Sequence, residues 1–163
     1  MFFNNNQIFI NYLNTVAAIN SLVEINNDRI EGYATATLET EEEELKILFE
    51  QLAETSRVFN SELIFEIHKL EGTPVEGTTM IGKFFRVWME MKTAITDRDR
   101  KAILKSCAYG EEMAMETYNI ALSRDLEDLP SEIQIIIQNQ RDILKKDRDK
   151  INDMITSLDV VEV

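Results

Sequence analysis

The sequence predicts an all-α protein, a four-helix bundle with one further helix crossing between its two halves, and three observations lead to that class. Five Gly and two Pro in 163 residues leave long stretches without a breaker. Within them apolar residues recur at the helical period of 3.6 and nowhere alternate for long, so no strand is expected. The long stretches also fall into two pairs, each joined by a short turn (near residues 40 and 127), with a longer connection between the pairs.

Taken in order, α1 is expected at about 11–38, after an N-terminal extension of residues 1–10. Its inward stripe is Tyr12, Val16, Ile19, Val23, Ile30 and Ala34. Thr40 followed by Glu43 has the spacing of a capping box and opens α2 at about 42–71, with the acids of 41–44 favouring a helix N-terminus. The stripe of α2 runs Leu45, Leu48, Phe49, Leu52, Phe59, Leu63, Ile67 and Leu70, and Gly72 and Pro74 stop it. The connecting segment carries its own stripe (Ile81, Phe84, Phe85, Trp88, Met91, Ile95) and predicts a crossing helix α3 at about 79–94, which would bring the next helix to start at the end where α1 starts. Asp97 is placed to cap α4 at about 97–124, with Ile103, Leu104, Cys107, Ala114, Met115, Tyr118 and Leu122 inward. Ser131 after Pro130 is placed to cap α5 at about 130–158, with Ile133, Ile136, Ile137, Leu144, Ile151, Met154 and Leu158 inward. Nothing divides residues 1–163 into more than a single domain.

Bulk properties narrow the function. Seventeen Lys and Arg against thirty Asp and Glu give a net charge of −13. A surface so acidic repels phosphate backbones and anionic lipid, so neither nucleic acid nor a membrane is an expected partner. One cysteine, Cys107, excludes an internal disulfide and all-cysteine metal sites. The opening residues lack the positive start of a secretory signal, and no run of about 18 uninterrupted apolar residues occurs, so a cytoplasmic location is expected.

Polar residues interrupt each inward stripe at one height. They are Asn26 on α1 with Asn27 at the margin, Ser56 with Thr55 on α2, Glu111 on α4, and Gln140 and Asp147 on α5. Tyr33 and Tyr118 are expected to bond across the interior with their hydroxyls. A carboxylate in such a layer must be paired, metal-bound or protonated, because burying a lone charge is very costly. The expectation for Glu111 is a protonated or amide-paired side chain, which would make Glu111→Gln nearly neutral. Polar groups at such positions also fix helix register and partner choice.

Six residues separate Glu111 from Tyr118, and Asn26 stands at the same distance before Tyr33. In this the sequence resembles the ferritin-like superfamily, whose di-metal members place a glutamate ahead of a tyrosine on two helices and Glu-x-x-His on the other two. Asparagine replaces the first glutamate here, and both histidine motifs are absent: Ala53-x-x-Ser56 and Leu144-x-x-Asp147 stand at their places, and the one histidine, His68, falls on the polar side of α2. The stretches LVEINNDRIEGY, SRVF, DRKAIL and YGEEMAMETYNIAL are similar to a bacterial family of ferritin-like bundles of unassigned function, over about residues 13–158. The resemblance implies a fold and carries no catalytic residue.

The reading that follows is a non-enzymatic ferritin-like bundle, a structural or protein-interaction module with a degenerate metal site and no cofactor. It would act as a homo-oligomer, a dimer or higher, with a second apolar stripe on α4 (Ala102, Tyr109, Met113, Ile120) covered by α3 or by another subunit. The competing reading is a metal-binding or oxidase-type bundle using Glu111 and Asp147. Its oxygen donors, Glu111, Asp147, Gln140 and Asn26, would suit a single weakly bound divalent ion.

Overall fold

The computed structural model describes residues 4–78, 83–124 and 129–161. They form five helices, α1 (Asn5–Glu39), α2 (Glu43–Lys69), α3 (Lys83–Thr96), α4 (Arg100–Arg124) and α5 (Ser131–Val161), and no strand occurs among them. Ile81 and the α4–α5 turn near residue 127 lie outside the described residues.

Several helix ends differ from expectation for identifiable reasons. Residues 5–10 continue α1, because the Asn4 side chain accepts from the Gln7 amide at 2.8 Å and caps the helix there. Thr40 closes α1, its amide donating to the Ala36 carbonyl, and no side chain caps α2 at Glu42. The cap of α4 is Asp99, which accepts from the Ala102 amide at 3.1 Å; Asp97 belongs instead to the turn that ends α3. At α5 the Pro130 carbonyl accepts from the Ile133 and Gln134 amides, so Ser131 is the first helical residue.

The end of α2 is a Schellman turn. The Gly72 amide donates to the Ile67 carbonyl and the Glu71 amide to that of His68, both at 2.9 Å, with Glu71 left-handed at φ 58°. The stop therefore falls one residue before the glycine that announces it. Gly72 is needed for closeness: a Cβ there would lie 3.0 Å from both methyls of Val16.

That contact ties the end of α2 to the beginning of α1, so the chain must travel back along the length of the hairpin, about 40 Å for 27 helical residues. Asparagines on α1 guide its first part. Asn20 donates to the Thr73 carbonyl and accepts from the Val75 amide, and Asn27 donates to the Gly77 carbonyl. Helix α3 completes the return, burying Val87, Met91, Ala94 and Ile95 against α1 and α4 while Trp88 is half-buried and Phe85 exposed. Arg98 then pairs with Glu41, and Arg100 with Glu42 and Glu44. These ion pairs set the start of α4 beside the α1–α2 turn, where α1 ends, which reverses the expected direction: α4 runs antiparallel to α1.

The buried residues form two apolar clusters. One centres on Ile19, Leu22, Phe59, Leu63, Ile137 and Leu144, the other on Phe49, Leu52, Met91, Leu104, Cys107 and Ile151. Between them lie buried polar side chains from α1, α2, α4 and α5. Helix α1 alone among the described helices is long and apolar enough to cross a bilayer by length and composition; its first turns leave Ile8, Phe9, Ile10 and Leu13 exposed, while its later turns carry the buried polar groups.

The Schellman turn yields a paired prediction. Glu71→Gly should stabilise the protein by about 1 kcal/mol by removing the left-handed penalty of a residue with a Cβ. Gly72→Ala should cost about 1–3 kcal/mol through crowding of Val16 and Ile67. Urea unfolding curves of the two variants check this, and equal midpoints would contradict it.

Candidate functional site

On α1 the positions 22, 26, 29, 33 and 36 follow the helical period, so Leu22, Asn26, Arg29, Tyr33 and Ala36 share one inward face, and all five are buried. Arg29 is therefore carried into the interior at 1% exposure, opposite Glu111 of α4 at 0%. The two meet as a bidentate ion pair: Nη2 donates to both carboxylate oxygens at 2.9 and 2.8 Å, and Nε donates to Oε1 at 3.2 Å. Tyr33, one helical turn on, donates its hydroxyl to the same Oε1 at 2.6 Å. Its ring lies 5.7 Å from the guanidinium carbon and stacks on Phe49 at 5.9 Å.

From Arg29 a hydrogen-bonded chain runs across all the long helices. Arg29 Nη1 donates to Ser56 Oγ on α2, and Ser56 donates to Asn26 Oδ1 at 2.9 Å. Asn26 Nδ2 donates to the Tyr118 hydroxyl at 2.8 Å and to the Leu22 carbonyl. Tyr118 donates to Gln140 Oε1 at 2.6 Å, and Gln140 Nε2 ends the chain on the Phe59 carbonyl at 3.2 Å. Each member accepts from the one before and donates to the one after, so the donor and acceptor capacity of the layer is consumed internally.

The electrostatics follow from this placement. Burial alone would lower the Arg29 pKa, but the adjacent Glu111 carboxylate overcomes it and the value ends above that of a free arginine. Burial, reinforced by Glu111, holds the Tyr33 hydroxyl well above its ordinary value. Burial likewise raises the Cys107 thiol and the Tyr118 hydroxyl, so neither is a ready nucleophile. Asp147 is the exception to the satisfied layer. It is half-buried, its Oδ2 is shielded without a hydrogen-bond partner among the described residues, and burial followed by repulsion from Glu111 pushes its pKa up to about 6 against the pull of Arg29 and Lys150.

Of the residues predicted for the layer, the structure brings Asn26, Tyr33, Ser56, Glu111, Tyr118 and Gln140 into one network and leaves Asp147 at its edge. Asn27 turns instead to Gly77 and Asn60, and Thr55 bonds the Gln51 carbonyl of its own helix. The expectation of a protonated or amide-paired Glu111 is corrected: its partner is a guanidinium. Arg29 is the member that sequence reasoning missed: it stands neither in the expected inward stripe of α1 nor in the expected polar layer, although its spacing from Asn26 and Tyr33 puts it on the inward face.

A metal at this level would need the same oxygens. Both carboxylate oxygens of Glu111 are held by Arg29, the amides of Asn26 and Gln140 are committed, and a cation would sit against a guanidinium. The residues present do not fit a resident metal, and among the described residues no group of three or more His, Cys, Asp or Glu converges.

With this geometry in hand, one comparison places the chain. Residues 14–124, which carry Asn26, Arg29, Tyr33, Ser56, Glu111 and Tyr118, match the model of a family described as a domain of unknown function, DUF2383. The chain belongs to that family. The match ends before α5, so Gln140 and Asp147 lie beyond it. A search of curated proteins finds no match to the chain.

Two predictions follow from the layer. Glu111→Gln removes the countercharge of a fully buried guanidinium and should cost about 3–5 kcal/mol, whereas Arg29→Met combined with Glu111→Leu should recover most of that loss. Chemical denaturation of the single and double variants checks it; a neutral Glu111→Gln would refute the ion pair. For Asp147 the folded pKa lies above the unfolded one, so the folded state takes up the proton more readily. The carboxylate therefore destabilises the fold above pH 6, and the penalty is relieved as pH falls through 6. Asp147→Asn should stabilise by about 1 kcal/mol at pH 7.5, the figure being discounted for the exposed part of the side chain. That gain should shrink towards pH 4.5. A gain that is constant across this range would show that the charge is not its source.

Proposed function

We propose that the chain is a four-helix bundle of the ferritin-like kind, with α3 as the crossover between its two hairpins, and that it works through its surface as a homo-oligomeric structural or interaction module without catalysing a reaction. The observation that carries this reading is Arg29: a permanent cation, bonded through three nitrogens, stands at the centre of the polar layer where a di-metal bundle would need open carboxylates. Within the bonded network no nucleophile or base is free, since Cys107, Tyr33 and Tyr118 are buried and held protonated and Glu111 is bound by Arg29. Asp147, at the edge, keeps a carboxylate oxygen unpartnered among the described residues, and His68 is exposed on the far side of α2. What the layer supports is specificity. Four helices can satisfy this chain of bonds in one register only, and a slip of one turn would strand a buried charge. The acidic surface supports partners other than nucleic acid or anionic membrane, and a location in the cytoplasm is proposed on the lack of a positive start to the opening apolar residues.

The test is metal analysis of protein purified without chelator, followed by aerobic addition of ferrous iron. The reading expects substoichiometric metal and iron oxidation no faster than in buffer. Stoichiometric iron with the absorption of an oxo-bridged pair would instead establish the oxidase-type alternative built on Glu111 and Asp147.

A further inference from the structure

The outward face shared by α2 and α5 carries a pattern that the interior does not explain. On α2 it exposes Ile47, Val58 and Phe65, and on α5 Ile135 and Ile143, all between 41% and 61% accessible. Between the helices runs a groove of about 380 Å³ lined by Gln51, Glu54, Thr55, Val58, Phe59 and Ile143. Two contacts fix how the helices are aligned along it. The Phe59 carbonyl accepts from Gln140 Nε2, and Gln51 Oε1 accepts from Lys150 Nζ. The helices are therefore antiparallel, with residue 59 level with 140 and 51 level with 150. At the common rise of 1.5 Å per residue, Val58 is then level with Ile143, Phe65 with Ile135, and Glu54 with Lys146.

We propose that this face binds a second copy of the chain, about a two-fold axis that runs along the groove parallel to α2 and α5. Such an axis lays α2 of one copy on α5 of the other at equal height, so each level pair becomes an intermolecular contact and occurs twice. Val58 meets Ile143 of the second copy, Phe65 meets Ile135, and Glu54 meets Lys146. These three matches hold in one register, as a self-association surface requires, whereas Ile47 falls level with the exposed Asp153 and has no apolar counterpart there. Asp142, beside this stripe, is held by Arg141 of its own helix at 3.4 Å, and Glu54 is paired within its helix with Arg57 at 3.1 Å, through one carboxylate oxygen. The face is distinct from the α4 stripe, of which α3 leaves Tyr109 and Ile120 exposed. The proposal rests on the reading of a protein that works through its surface and names the surface.

The experiment is sedimentation velocity over a concentration series, with helix content followed by circular dichroism in every variant. The wild type should sediment as a dimer of the 18.9 kDa chain. Val58→Asp, at a half-exposed site that the fold does not need, should give a folded monomer. Glu54→Lys and Lys146→Glu should each weaken the dimer about tenfold or more, since like charges then face each other twice. Combining the two reversals should restore it. A monomeric wild type, or a dimer indifferent to Val58→Asp and to the charge reversals, would overturn the proposal. The second of these outcomes would leave the surface-acting reading standing with another face as its contact, whereas stoichiometric iron oxidation would remove that reading whatever the oligomeric state.

Discussion

The ion pair of Arg29 and Glu111 is the constraint on which the rest of the interior depends. Neither charge can be buried alone, so α1 and α4 must bring residue 29 opposite 111, and Tyr33 one turn along closes the same carboxylate. Asn26 bonded to Tyr118 makes the two helices antiparallel. With that level set, Ser56 is drawn in from α2 by the remaining guanidinium nitrogen, and Asn26 and Tyr118 pass the hydrogen bonding on to Gln140 of α5. The apolar clusters above and below would tolerate many small shifts of one helix along another, because hydrophobic contact is not directional. The polar layer does not tolerate them. Stability comes from the clusters and register from the layer, which fits the general finding that a buried ion pair adds little to net stability.

The connection between the two hairpins obeys a different logic. Gly72 seats the end of α2 on Val16, and from there asparagines of α1 hold the returning chain, with Val75 packed against the adjoining apolar cluster. An extended segment cannot bond its own backbone internally, so side-chain amides supply the missing partners. The ion pairs of Arg98 and Arg100 with Glu41, Glu42 and Glu44 then receive the chain at the far end. What reads in the sequence as acid at a helix start is thus also a landing point for α4.

Much of this was legible beforehand, and the failures have physical causes. The stripes of α2 and α4 emerged almost residue for residue, since apolar periodicity is a strong signal over long helices. The height of the polar layer was legible too, because polar residues at inward positions are conspicuous. The direction of α4 was not, because nothing in the periodicity of a helix says which way it runs. Nor was Arg29, since composition places arginine outside and only its partner 82 residues away explains it inside. The cap of α4 went to Asp99, two residues past the expected Asp97, and α1 began at Asn4, ahead of the expected start near residue 11: near helix ends several Asp, Asn and Thr compete, and the geometry of the preceding turn decides among them.

The separation of Arg29 from Glu111 also orders events during synthesis. The α1–α2 hairpin precedes Glu111 by more than 40 residues and leaves the ribosome before that residue emerges, so for that interval its inward face holds a guanidinium with Ser56 beside it and no countercharge. Packing that face tightly would strand the charge, so the early hairpin gains little by closing its own interior and keeps Arg29 in water. Only when α4 arrives with its carboxylate does closure become favourable, for both halves at once. The ion pair thereby ties the compaction of the first hairpin to the arrival of α4.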